Sequence, residues 1–408
     1  MSNILNELIV ESTTTGSIEF PRPQLVALTK AVNALIFTDL VASQNTSSPI
    51  ATLFGMRYLN QDGEMTFRTP ATYGGTYGDR SGINKELTDA TTSFAKDDVF
   101  KYQNVVYQAI KSFDMKDLGG GSDLDKQLAI ALMINNVRIV SDAGEVSAME
   151  YIEPSDANLK IEKWNIEART RKLKSSVTNE FLQDIKASGF NGEAVIRDML
   201  ATEIADEVNK DIMHKLQTVS TRHASAGVDS GIYYAGAAAD DPTKGRTLYR
   251  IVCEMARAVH AETAFEATYV LCSPKVAALL SSSGWLKGDQ NMKNLYTGIL
   301  VDGLRVYVDA VSKFDYVVVG TKQSKGDMEN VGSLFYTPYV DVDGVGNTLT
   351  TVVDSKSLQP SYMALTRYGL SVNPYTTKDS DSEQNHQGDE WNELAGKSKY
   401  SRFVGVVF

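Results

Sequence analysis

Apolar residues recur along this chain at two different periods, and the switches between them mark its elements. From Leu25 the pattern is helical, with Leu25, Leu28, Val32 and Leu35 on one face. Pro21 and Pro23 precede it and favour extended backbone. Residues 1–48 therefore read as an extended arm with a short helix. Phe54, Met56 and Tyr58 alternate at the period of a strand, and Gln61-Asp62-Gly63 supplies a turn. Leu159, Ile161, Trp164 and Ile166 predict a second long strand, whose alternation slips between Ile161 and Trp164 as at a bulge or twist. The stretch 63–147 between them reads as an inserted lobe. It has an irregular Gly/Tyr/Thr-rich run and a helix over Ser122 to Ile134, behind Gly119-Gly120-Gly121.

Leu173, Val177, Phe181 and Ile185 predict the start of a helix with one apolar face, interrupted by Gly189 and Gly192. A long helix follows from Glu193 to Val219. Its stripe is Ile196, Leu200, Ile204, Val208, Ile212 and Leu216, widened by Met199 and Met213. At 1.5 Å per residue it spans roughly 40 Å. Asp198, Glu203, Asp206, Lys210 and Lys215 put the opposite face toward solvent or polar partners. Beyond the turn at Asp240 to Thr243, helices and strands alternate. Leu248, Ile251, Met255 and Val259 mark a helix, and Tyr269 to Cys272 a short strand. Ser273-Pro274 opens a further helix. Leu304 to Val308, Tyr316 to Val319 and Leu334 to Val340 read as strands. The part from Thr348 onward reads mainly as strands around a polar loop at 377–388. The sum is an α+β protein.

At 408 residues, with 42% hydrophobic and 22% charged, the chain suits a large globular core. A net charge of −11 makes it a poor candidate for gripping nucleic acid through phosphates, though not for surrounding it. Cys253 and Cys272 do not make a disulfide framework, which fits a reduced compartment. No signal peptide and no run of roughly 20 apolar residues is visible, so folding in a cytoplasm is expected.

No catalytic, metal or cofactor constellation emerges. His214, His223, His260 and His386 lack partners at metal-ligand spacing. Gly119-Gly120-Gly121-Ser122 lacks the lysine of a P-loop and reads as a joint. Asp341-Val342-Asp343-Gly344 opens like a calcium loop but has Val352 where the twelfth-position Glu would be, so a turn is expected. The one dense basic cluster is Arg169-Thr170-Arg171-Lys172-Leu173-Lys174. It is either a solvated helix start or a cationic patch for acidic surface on a neighbouring subunit.

At this cluster a family resemblance begins. Ile161 to Lys174, with its Glu167-Ala168-Arg169-Thr170-Arg171 run, and Thr178 to Ala187 resemble the T-even-type major capsid protein family of tailed bacteriophages. Cys272-Ser273 with Val276-Ala277, Val306 to Asp309, Phe335 to Val340 and Thr366 to Pro374 are similar to further motifs of that family, in the same order. The region 63–147 does not align. The resemblance implies the Hong Kong 97-type capsid fold. In it, residues 1–48 are the N-terminal arm, 49–62 and 148–167 an extended loop, and 63–147 an inserted domain. Residues 168–246 and 346–408 are a peripheral domain with a spine helix, and 247–345 an axial domain.

The resemblance implies a shell protein without catalytic activity or cofactor, forming hexamers of an icosahedral head around double-stranded DNA. Expected partners are copies of itself and the vertex, portal, scaffold and decoration proteins of the phage, with assembly in the host cytoplasm and no membrane. An encapsulin-like compartment is the alternative, and a hydrolase or nucleotide-binding enzyme a weaker one. Arg169, Arg171, Lys172 and Lys174 are the candidates for inter-subunit contact. The family's maturation protease cuts after Glu, and Leu5-Asn6-Glu7 and Ile9-Val10-Glu11 fit its pattern. The expectation is that no long propeptide is removed.

Overall fold

The computed structural model describes residues 37–59, 82–142, 157–373 and 391–408, apart from short breaks at 104, 120, 122, 188, 190, 237–241, 289–295, 326–328, 341–346 and 354–358. The expected helix at Leu25, the two candidate cleavage sites, the calcium-like turn and His386 lie outside the described residues. The chain divides into two compact units, Leu53–Trp164 and the remainder.

The expected pair of long strands forms: β1 (Ile50–Leu59) pairs with β2 (Asn158–Glu167) as a two-stranded sheet. The Ala168 amide donates to the Pro49 carbonyl at 2.9 Å, and the Thr52 hydroxyl donates to Asn165 Oδ1 at 3.0 Å. The strands therefore run antiparallel with Thr52 and Asn165 on one face. By alternation, Phe54, Leu159 and Ile161 share that face and are exposed. Trp164 and Ile166 take the other face and are buried. The slip in the sequence is thus apolar residues on both faces of one strand.

Within the unit Leu53–Trp164, a three-stranded sheet (Val99–Tyr102, Val105–Ala109, Val137–Ile139) packs with a helix, Leu124–Met133, around its own core. Phe94 and Phe100 stack at 4.0 Å in that core. The Asp123 carboxylate caps the helix by accepting from the Asp125 and Lys126 amides. Gly119 and Gly121 take left-handed backbone just before it, as a joint requires.

The other unit is organised by one helix. After β3 (Arg169–Ser176) and a short helix at Asn179–Ala187 comes α1 (Gly192–Val219), 28 residues long. Its expected stripe, Ile196 through Leu216, is buried. α1 lies along a five-stranded sheet from Arg197 to Asp211, its C-terminal end reaches a nine-stranded one at Gln217, and the two sheets share a core. That double cover widens the buried face. Asp206, Asn209 and Gln217 lie inside, and Asp206, on the face expected toward solvent or polar partners, is buried and pairs with Lys210 at 2.6 Å. Met199, expected in the stripe, is exposed instead. The nine-stranded sheet buries its far face against helices Pro242–Thr263 and Pro274–Ser282.

Two strands cross the divisions expected from the sequence. Leu334–Pro338, expected with the axial segment, pairs in the five-stranded sheet with β4 (Pro360–Val372). The late strand β5 (Ser398–Val407), expected with the peripheral segment, lies inside the nine-stranded sheet. There it pairs with Tyr316–Gly320 on one side and with Ile232–Tyr234 and Ser220–Arg222 on the other. Its apolar residues explain the placement. Phe403 enters the core shared with α1, while Val404 and Val406 enter the core on the opposite face.

Candidate inter-subunit surface

The basic cluster sits on a strand. Arg169–Ser176 forms β3, and helix begins only at Asn179, so the expected helix start is corrected. The four-residue spacing of Leu173 and Val177 mimics a helix, but pairing with β4 over eight residues, from Arg169↔Tyr368 to Ser176↔Ser361, decides the local structure. Cations at a helix N-terminus are disfavoured by its dipole, and on a strand that cost does not arise. Alternation sorts them instead. Arg171, Leu173 and Ser175 are half-buried, while Thr170, Lys172, Lys174 and Ser176 are exposed.

Arg171 points inward to α1. Its guanidinium reaches Glu207 Oε1 at 2.8 Å and Asp211 Oδ2 at 2.9 Å, two carboxylates one helical turn apart. The Tyr368 hydroxyl donates to the same Asp211 oxygen at 2.9 Å, and Arg171 lies 5.7 Å over the Tyr368 ring. One arginine thus joins β3, β4 and α1. Burial works against its charge, but Tyr368, Asp211 and Glu207 outweigh that and raise its pKa. Arg169 is exposed at the start of β3, opposite Tyr368. Lys172 and Lys174 project from the face opposite α1. The structure thus splits the four candidates: Arg171 is half-buried and paired with α1, Lys172 and Lys174 are exposed on the opposite face, and Arg169 is exposed at the start of the strand. Glu207, Asp211 and Tyr368 were not singled out from sequence. The shared helical turn of Glu207 and Asp211 was their only signal.

At the β3 end of β2, Gly369 lets the strands approach closely. A Cβ there would lie 2.4 Å from Ile166 Cγ2 and 3.0 Å from the Glu167 carbonyl. Along β1 and β2, the exposed face carries Phe54 (69% exposed) and Ile161 (63%). Large apolar side chains this open on a long two-stranded sheet make this face a candidate association surface.

Chemistry elsewhere is muted. Burial pushes the Cys253 thiol up to about 11 and the Cys272 thiol up to about 12, so neither is a reactive thiolate. His214 and His260 are exposed and His223 is buried. No cluster of three or more metal-binding side chains occurs among the described residues, and no described helix is long and apolar enough to cross a membrane.

Comparison with known proteins shows the family of the chain. The profile of the Gp23 major capsid protein family matches residues 18–406. The chain belongs to this family. With membership comes the Hong Kong 97-type α+β fold that the resemblance implied. The family's product is a structural protein of the tailed-phage head, assembling with copies of itself into the shell. The chain is 42% identical to the capsid vertex protein of Enterobacteria phage T4, over 98% of this chain and 97% of that one. It is equally similar to the capsid vertex protein of Escherichia phage AR1. To the major capsid protein of Enterobacteria phage T4 it is 28% identical, over 54% of this chain and 46% of that one. The solved capsid of Myoviridae phage XM1 superposes with a TM-score of 0.44 at 9% identity, covering 96% of this chain and 100% of that one.

Proposed function

We propose that this chain occupies the fivefold vertices of the head shell. The observation that carries this reading is the full-length match to capsid vertex proteins, against a weaker match to a major capsid protein over about half the chain. Its work is assembly and not catalysis. Subunits bury the Phe54–Ile161 face against neighbours within a closed ring, and rings join the surrounding shell. The exposed cations Arg169, Lys172 and Lys174 add contacts to adjacent subunits. Its partners are then copies of itself and the hexamer-building capsid protein of the same phage, with portal, scaffold and decoration proteins completing a head assembled in the host cytoplasm. The shell encloses double-stranded DNA without reading its sequence.

A second reading, hexamers across the shell faces, draws on the family's name, which is that of a major capsid protein. Electron cryo-microscopy of mature heads separates the two. Density for this chain at the fivefold positions supports the vertex reading, and density throughout the hexagonal lattice overturns it.

A further inference from the structure

α1 and the five-stranded sheet form a two-layer slab whose outer sides carry opposite charge. On the sheet side, Lys172 and Lys174 are exposed, and neither has a partner among the described residues. The register with β4 sets Leu365 beside Lys172, Met363 beside Lys174, and Arg367 beside Thr170 on this face. Met363 and Leu365 are half-buried, and Arg367 lies 4.4 Å over the Tyr339 ring. The face is therefore an apolar floor edged by cations. On the helix side, the first half of α1 exposes Val195 and Met199, one turn apart. Asp198 and Glu203 are exposed beside them. That face is an apolar pair edged by carboxylates.

Lys172 and Lys174 are about 7 Å apart along a strand and project from one face. Asp198 and Glu203 are about 7 Å apart along the helix axis and about 140° apart around it, so they flank the Val195–Met199 pair on its two sides. Lysine stems can cover apolar surface while their heads reach an acid.

We infer that the outer sheet face of one subunit seats on the outer α1 face of a second copy. Lys172 and Lys174 meet Asp198 and Glu203, while Met363 and Leu365 cover Val195 and Met199. The two faces lie on opposite sides of one slab, so the contact is head-to-tail. A head-to-tail contact continues round a ring and does not stop at a dimer. DNA phosphates would suit the lysines alone and leave both apolar pairs and the carboxylates without a role. The inference rests on the shell-protein reading and names the surface that closes the ring.

The test is charge reversal in the intact phage. Lys172→Glu with Lys174→Glu, and separately Asp198→Lys with Glu203→Lys, are each expected to cut head yield about tenfold or more, because like charges then face each other. The chain with all four substitutions restores the pairing and is expected to recover most of the yield. Recovery that fails in a four-substitution chain that folds, or wild-type yield from either pair, overturns the contact. Intact heads that lack DNA in the lysine variant also overturn it and assign the face to nucleic acid. Absence of the wild-type chain from purified heads is a separate result and sinks the shell reading itself. Crosslinking keeps the test independent of charge-reversed folding. Lys174→Cys combined in turn with Asp198→Cys and Glu203→Cys is expected to give a subunit ladder in oxidised heads. Monomer alone from both combinations overturns the inference.

Discussion

Arg171 on β3 and Asp211 on α1 meet at 2.9 Å, across the seam between the sheet and its helix. Arg171 is 31% exposed, and Asp211 also receives the Tyr368 hydroxyl. Arg171→Met is expected to destabilise the isolated subunit by about 1–2 kcal/mol, between the values for exposed and buried pairs. Arg171→Lys recovers little, because one ammonium does not span two carboxylates as a fork does. Urea midpoints for Arg171→Met, Asp211→Asn and the double variant give the coupling. Strictly additive losses show that the contact contributes nothing.

Ile212 is fully buried beneath α1, whereas Met199 on the same helix is half exposed. Ile212→Ala is expected to cost about 2–5 kcal/mol through lost burial and a cavity. Met199→Ala is expected to change subunit stability by less than about 0.5 kcal/mol. Thermal unfolding of the two variants side by side makes the comparison, and equal losses contradict the assignment of faces.

Phe54→Ser with Ile161→Ser removes apolar surface that touches solvent in the single subunit. Subunit unfolding is expected to stay within about 0.5 kcal/mol of wild type. Head particles counted by electron microscopy are expected to become rare. Normal head numbers exclude this face from assembly.

His223 supplies a pH dependence. Burial first, then the neighbouring Arg402, holds its pKa below the ordinary 6.5, with Glu254 acting in the opposite sense. As pH falls through about 6.5, the unfolded chain takes up a proton that the folded chain resists. Stability from this group is therefore present above about pH 6.5 and lost below it. The urea midpoint is expected to fall between about pH 7 and pH 5.5, and less steeply in His223→Asn. Parallel profiles for the two proteins reject His223 as the source.

Gly369→Val tests the corner where β2 passes into β3. Its side chain would collide with Ile166 and with the Glu167 carbonyl, which is backbone and cannot swing away. A loss of at least about 1–3 kcal/mol is expected. Denaturation at wild-type urea concentration removes the claim of close packing.

What could be read without coordinates followed from how local each cause was. The stripe Ile196 to Leu216 keeps a helical period over nearly six turns, so α1 was legible nearly to the residue. Tyr269–Cys272 with Ser273-Pro274 behind it carries its strand and helix start in adjacent residues. β3 was misread because its structure comes from β4, about two hundred residues later, while Leu173 and Val177 happen to sit four apart. The burial of Asp206 was not legible for a related reason. Nothing near it in sequence reveals that two sheets share a core with α1. The cationic cluster was visible as composition, but only alternation on a paired strand separates Arg171, turned inward, from Lys172 and Lys174.

β5 follows every other strand of the nine-stranded sheet in chain order, yet it sits among them and joins Ile232–Tyr234 to Tyr316–Gly320. During synthesis those neighbours emerge first and wait with open edges. The core shared by both sheets closes only when Phe403 arrives. A growing chain therefore lacks the last piece of its core until β5 is made, and the finished subunit is a late product of folding.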